Sequence, residues 1–393
     1  MVIKWKRVVV MKKIVWKSES VDNPLKPNDI KKYIPDIYVP CYCGSGEKFK
    51  FCCYMKKDIE MHNPSQAYQY MIKNRKKHSY CIYANKNCTD TIIKSHSIQN
   101  NKILSKLAVD NHVYVLDFNA NVFGGTDIMK CGRNQATTST CFCSYHDSKI
   151  FRDIEKKNYE YSQKQNFLYA YRAFSKYYYD RIIGLEDTRN IFSAMPNLAM
   201  TMGYVDRIKG LEISVAENEE IKKEFNYALK SKEYTVVKTI ALALDYEVGF
   251  ATSYMSPLSY DLEGNMISDV YSMEGRVRNI FVNIFPEDGK SYILISWLIS
   301  DDGPWFEKFS NQFDKYKNNH ELLMRILNNM VTCHSDNIVF SKNLLDAWDE
   351  NSKEFFLNEY ISTFIGLNGE NIGLKIEKDI LNFDNKFNLF KIL

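Results

Sequence analysis

Nine of the ten cysteines lie between positions 41 and 143, and eight ligand-type residues there fall into two groups. The first reads Cys41-Tyr42-Cys43-Gly44-Ser45-Gly46, followed by Cys52-Cys53. Four thiolates within thirteen residues, flanking a Gly-Ser-Gly turn, suit a closed tetrahedral zinc site. The glycines let the backbone reverse sharply enough for both cysteine pairs to reach one ion. With all four positions filled by protein, such a site is structural. The second group pairs Cys81/Cys88 with Cys143/His146, a Cys3His set. Between its pairs stands His96, just after the apolar Ile92-Ile93, in Ser95-His96-Ser97-Ile98. An imidazole there is a general base, a zinc ligand, a binding contact, or a buried ring bonded to a carbonyl. Asp147, directly after the last ligand, is a hard oxygen donor for a cation or a carboxylate satisfying helix N-terminal amides. Cys131 and Cys141 are further thiols able to compete as ligands.

Four segments must position these groups. Residues 1–38 read as one or two short strands and a polar linker with Asn23-Pro24 and Lys26-Pro27. Residues 39–58 are the first cysteine knuckle, and residues 78–155 hold the second cluster, with the apolar run His112–Phe118 as a strand. Residues 156–393 form an α+β C-terminal domain. Phe167, Ala170, Tyr171, Phe174, Tyr177 and Tyr178 recur at steps of three and four, which predicts a helix with an aromatic stripe. More helix is expected at 217–248, 305–331 and 341–364. Asn279–Phe285 and Ser291–Ile299 flank Pro286-Glu287-Asp288-Gly289-Lys290 and read as a β-hairpin. Nothing in this half reads as a reactive constellation: Glu186, Asp187, Glu212 and Glu217 form no catalytic pair. The tyrosines Tyr177–Tyr179 read as core, and Arg276 and Arg278 as a solvated strand edge.

With 393 residues, 45% of them apolar, the chain has material for two or three cores. A formal charge of +4 gives no global nucleic-acid signature, so any such face is local. Basic residues gather in the first eighty positions, at Lys4, Lys6, Arg7, Lys12, Lys13, Lys17 and the Lys73–Lys77 run. No window is apolar enough to span a membrane, and the start lacks the features of a signal peptide. Cysteine pairs at ligand spacing without an export signal favour metal in a reducing cytosol over disulfides, so a cytoplasmic location is expected. There is no phosphate-binding glycine loop and no His-Glu-x-x-His.

Residues 41–53 resemble the SEC-C motif, a zinc knuckle found in many otherwise unrelated bacterial proteins. The resemblance implies a recognition module, with Lys48, Lys50, Lys56 and Lys57 as contacts for an acidic protein partner; the plainer role is a folding staple. Residues 78–155 resemble the HNH, or ββα-metal, nucleases, whose treble-clef zinc pairs bracket a hairpin and a helix. That resemblance implies His96 as general base, Asp147 and Asn134 as holders of Mg2+ or Mn2+, and DNA or RNA as substrate. It departs from the family at Ser95, where a metal-binding side chain is usual, and in the 47-residue step from His96 to Cys143. As a block, residues 81–155 also look like bacterial uncharacterised proteins, some with SEC-C knuckles. The expected function is a metal-dependent HNH-like endonuclease carrying two structural zinc ions, of a kind used in phage defence or as a toxin. The alternative is a non-catalytic adaptor whose zinc modules bind a protein or nucleic acid.

Overall fold

A computed structural model describes residues 3–10, 13–20, 36–60, 66, 70, 73, 79–83, 87–89, 91–117, 127–201, 203–270, 277–364 and 372–393. The proline-bearing linker and Arg276 lie outside these described residues. The fold class is mixed α+β, as the patterning predicts. The described chain separates into two compact units.

The first unit takes its residues from Met1–His78 and Tyr178–Glu220. Strands β1 (Ile3–Val10) and β2 (Lys13–Ser20) pair antiparallel, from Ile3↔Ser20 to Val10↔Lys13. The cysteine knuckle follows, built on Phe49, which is fully buried among Tyr42, Tyr54 and Phe192. The knuckle supplies one fully buried aromatic ring and two buried cysteines, and its core continues into Leu185, Phe192, Ala199, Val205 and Ile208.

The second unit is organised by a seven-stranded antiparallel sheet in the order β5-β4-β11-β8-β9-β10-β7. Its strands are β4 (His112–Asp117), β5 (Asp127–Gly132), β7 (Val237–Leu244), β8 (Phe250–Pro257), β9 (Asn279–Glu287), β10 (Lys290–Leu298) and β11 (Ile338–Phe340). Every residue of β9 is buried, because both faces of the sheet are covered. On one face Ile280, Val282 and Ile284 pack with Phe306, Phe309 and Leu327. These come from α6 (Pro304–Tyr316) and α7 (His320–His334), with α8 (Lys342–Asp346), α9 (Glu350–Phe364) and α10 (Ile372–Lys378) completing that layer. On the other face Phe281 meets Phe225 and Phe285 stacks on Tyr169. Those rings belong to α3 (Gln163–Ala194) and α5 (Tyr204–Ser231), two long helices separated by α4 (Pro196–Thr201).

The β9–β10 hairpin closes through Asp288-Gly289 as the turn sequence predicts. Three helix expectations need correction, and the one over 341–364 breaks at Ala347–Asp349 into α8 and α9. The segment expected as helix to residue 248 ends at Ser231, and Val237–Leu244 pairs instead with β10 along its whole length. Ladder pairing outweighs the helix propensity of Ala and Leu there. The helix expected over 305–331 breaks at Lys317–Asn319, where the Asn319 side chain caps α7 by accepting from Leu322 N.

The apolar layer contains a buried polar chain. Ser256 Oγ lies 2.9 Å from His334 Nδ1, and His334 Nε2 lies 3.9 Å from Glu377 Oε2. Glu377 Oε1 accepts the backbone N–H groups of Ser259 and Tyr260. Burial pushes the Glu377 carboxyl up to about 7 and holds His334 down to about 4, so both are neutral between those values. Glu377 sits above its ordinary 4.5, so its contribution to stability is full below that pH and lost as pH rises through about 7. His334 works in the opposite sense, full above 6.5 and lost as pH falls through about 4. Glu377→Gln should therefore raise Tm relative to wild type by more at about pH 8 than at about pH 5. A difference equal at both pH values, measured by calorimetry, would contradict the buried-acid assignment.

Candidate metal centres

Eight side chains expected as zinc ligands gather into two sets of four, and within each set the ligand atoms all lie within 4.8 Å of one another. In the first, Gly44 and Gly46 both adopt positive φ, at 78° and 83°, and so turn the chain between the cysteine pairs. Cys43 Sγ lies 3.6 Å from Cys52 Sγ, which lies 3.8 Å from Cys53 Sγ. A tetrahedron with zinc–sulfur bonds of about 2.3 Å has edges of about 3.8 Å, so the thiols stand where a zinc ion needs them. They are too far apart for disulfides, and all ten cysteines are free.

The thiols crowd one another electrostatically. A hydrogen bond from Cys53 pulls Cys43 down to about 4, while burial pushes Cys41 up to about 11 and the Cys43 contact pushes Cys53 far higher. A divalent ion among them lets all four ionise.

The second set is assembled by a ββα unit. Strand β3 (Ile92–His96) pairs antiparallel with β6 (Thr138–Cys143), with an irregularity between Ile93 and Ser95. Helix α1 (Ser144–Ile150) follows at once, then the short α2 (Arg152–Lys156). Cys143 ends β6 and caps α1, its Sγ accepting from His146 N, which brings His146 round on the first turn. His146 Nδ1 lies 3.3 Å from Cys81 Sγ, 3.4 Å from Cys88 Sγ and 3.3 Å from Cys143 Sγ. One ring nitrogen cannot serve three thiols as hydrogen-bond partners, since it carries a single proton or a single lone pair. It can stand as the fourth apex of a Cys3His tetrahedron. Tyr83 and Tyr145 flank the imidazole edge-on at 5.1 and 5.2 Å. Burial raises the Cys143 thiol, but N–H groups of His146 and Thr89 outweigh it and set the value at about 7; burial takes Cys81 to about 12.

The remaining candidates lie around this frame. His96 ends β3 and does not enter either ligand set: its Nδ1 is 3.0 Å from the Ala136 carbonyl. Donating there leaves Nε2 as the basic nitrogen. Burial holds the ring below its ordinary 6.5, against the raising effect of the carbonyl, and Arg172, Asp147 and Glu155 are the charges acting on it. Asp147 Oδ1 accepts a hydrogen bond from Ser95 Oγ. Asn134 occupies the turn before β6, its Oδ1 accepting from Asn100 Nδ2 at 2.8 Å. Cys131 and Cys141 belong to neither set.

Three features escaped the sequence reading. Arg172 from α3 is buried, pairs with Glu155 at 2.6 Å and lies over the Phe151 ring. Asn337 Nδ2 donates to Ser97 Oγ at 2.9 Å and to the Ser253 carbonyl, tying the end of β3 to the large sheet. Lys102 bonds the buried Glu287. These contacts span up to 240 positions, so no local pattern announces them.

No family model, curated protein or solved structure matches the chain. The two Cys/His clusters are compatible with zinc. If each cluster holds one ion, Cys43→Ser and Cys88→Ser should each lower the zinc content from two per chain to one. Atomic absorption on the purified variants checks this; a wild type with one zinc, or none, would contradict it.

Proposed function

We propose that the chain is a zinc-scaffolded, cation-dependent phosphodiesterase that cuts nucleic acid, with His96 as the general base. The observation that carries the reading is the Nδ1 contact of His96 to the Ala136 carbonyl at the end of the first strand of a ββα unit. That contact supports a fixed tautomer, oriented and neutral near pH 7, with Nε2 available to take a proton. His96 Nε2 accepts a proton from water as the water oxygen bonds phosphorus; the bond to the leaving oxygen breaks, and that oxygen takes a proton from solvent. Asp147, and Asn134 beside it in role, would hold Mg2+ or Mn2+. Such an ion supplies charge neutralisation at the phosphoryl oxygens. The Asp147 carboxylate suits a hard cation, and Ser95 fixes one of its oxygens by hydrogen bonding rather than ligating in its own right. The two zinc ions would be structural.

The adaptor reading has its own support. On the knuckle, Tyr38, Phe51 and Met55 are 54%, 71% and 80% exposed. Lys50 Nζ sits 4.8 Å from the Tyr38 ring and 5.7 Å from that of Phe51. Exposed apolar side chains around a lysine favour a partner surface with an acidic, aromatic-tolerant face. The two readings are compatible if the knuckle selects the target that the ββα unit cuts.

His96→Ala should lower Mg2+- or Mn2+-dependent cleavage of plasmid or RNA by about 10²–10⁴-fold while leaving zinc content and melting temperature unchanged. Cleavage retained in that variant would remove His96 from the chemistry. A wild type that cuts neither substrate but binds one through the knuckle would favour the adaptor.

A further inference from the structure

The seven-stranded sheet ends on β7, which among the described residues pairs on one side only, with β10. Four consecutive residues of it, Val237–Ile240, line a cleft of about 700 Å³. Successive strand side chains point to opposite faces, so four in a row line one cleft only where it opens along the strand's edge. The opposite wall is α6, which presents Gly303, Phe306, Glu307, Ser310 and Asn311, a single helix face at steps of three and four. Trp297 stacked on Phe306, with ring centroids 4.9 Å apart, makes the floor, and Ile299 is 45% exposed at the rim.

An edge strand with a free ladder is ordinarily guarded by lysines, a proline or a bulge. Val237-Lys-Thr-Ile-Ala-Leu-Ala-Leu244 has no proline, and its one charge, Lys238, is neutralised by Asp302. The pairing with β10 runs unbroken through all eight residues, so no bulge guards it either. Glu307 is exposed, with no cationic partner among the described residues. Gln163 Nε2 already donates to the Val237 carbonyl, so the backbone groups on offer begin at Lys238; beside them lie an apolar floor and an unpaired acid.

We propose that β7 and α6 form a docking groove for an extended peptide segment bearing a lysine or arginine, bound as an eighth strand. Its backbone continues the ladder, and alternate side chains turn toward α6, an apolar one on Ile299 and the basic one on Glu307. A second copy of the chain fits the groove less well. Antiparallel pairing of two β7 edges about an axis normal to the sheet must oppose residues of equal parity. Centred on Ala241 or Ile240, it sets Asp245 of the second copy, whose side chain is 94% exposed, beside Val237 or Thr235. That end of the cleft already carries the unpaired Glu307, so acid would meet acid.

The test uses the full chain and a blocked, fluorescein-labelled Thr-Leu-Thr-Arg-Thr-Val peptide read by anisotropy. Binding is expected, weakened about tenfold by Glu307→Lys, with the Thr-Leu-Thr-Glu-Thr-Val peptide gaining about as much on that variant. Glu307 is on the surface, so the variant folds, and backbone N-methylation of the peptide should abolish binding by breaking the ladder. Failure of the arginine peptide to bind at up to about 1 mM would overturn the proposal, as would undiminished binding of the N-methylated peptide. Light scattering that shows a dimer dissociated by Ala243→Lys would also overturn it, by giving the edge to a second copy.

Discussion

Three or four thiolates cannot share a space 4.8 Å across and all carry charge unless a cation sits among them. That constraint governs both cysteine clusters. In the knuckle it bears on the turn between the cysteine pairs, while Phe49 is held in a core shared with Leu185, Phe192 and Ile208. In the ββα unit it fixes the angle between β6 and α1, since Cys143 and His146 sit on either side of that junction while Cys81 and Cys88 approach from outside. His96 stands at the end of the strand paired with β6, so the orientation of its ring follows from the same frame.

The large sheet supplies a second frame. The 46 residues between His96 and Cys143 leave the hairpin, run through a π-helical turn at Asn100–Leu104, and lay down β4 and β5 at the edge of the seven-stranded sheet before returning as β6. Despite this detour the two strands of the ββα unit pair. Asn337, Lys102 with Glu287, and Gln99 with the Glu155 carbonyl hold the detour in place. The large sheet therefore buttresses the end of the strand that carries His96.

How much of this is legible in the sequence depends on the range of the interaction. Cysteine and histidine at ligand spacing are recognisable because metal geometry allows few residue types and few separations, and the structure brings all eight together. The β9–β10 hairpin is legible because Asp288-Gly289 at the turn and alternating apolar runs are local signals. Val237–Leu244 misleads because Ala and Leu favour helix, whereas its conformation is set by β10 some fifty residues away. The Ser256–His334–Glu377 chain and the Ser97–Asn337 bond are invisible for the same reason: each joins residues from distant elements whose types are ordinary by themselves.

Zinc K-edge X-ray absorption on the purified chain is the most direct measurement. Two closed sites require an average shell of seven sulfurs and one imidazole nitrogen over two ions, near 2.3 and 2.0 Å respectively, with no water oxygen. A shell with solvent oxygen, with two or more histidines, or with fewer sulfurs would mean that His96 or water enters the second centre. The frame that holds His96 would then have to be abandoned.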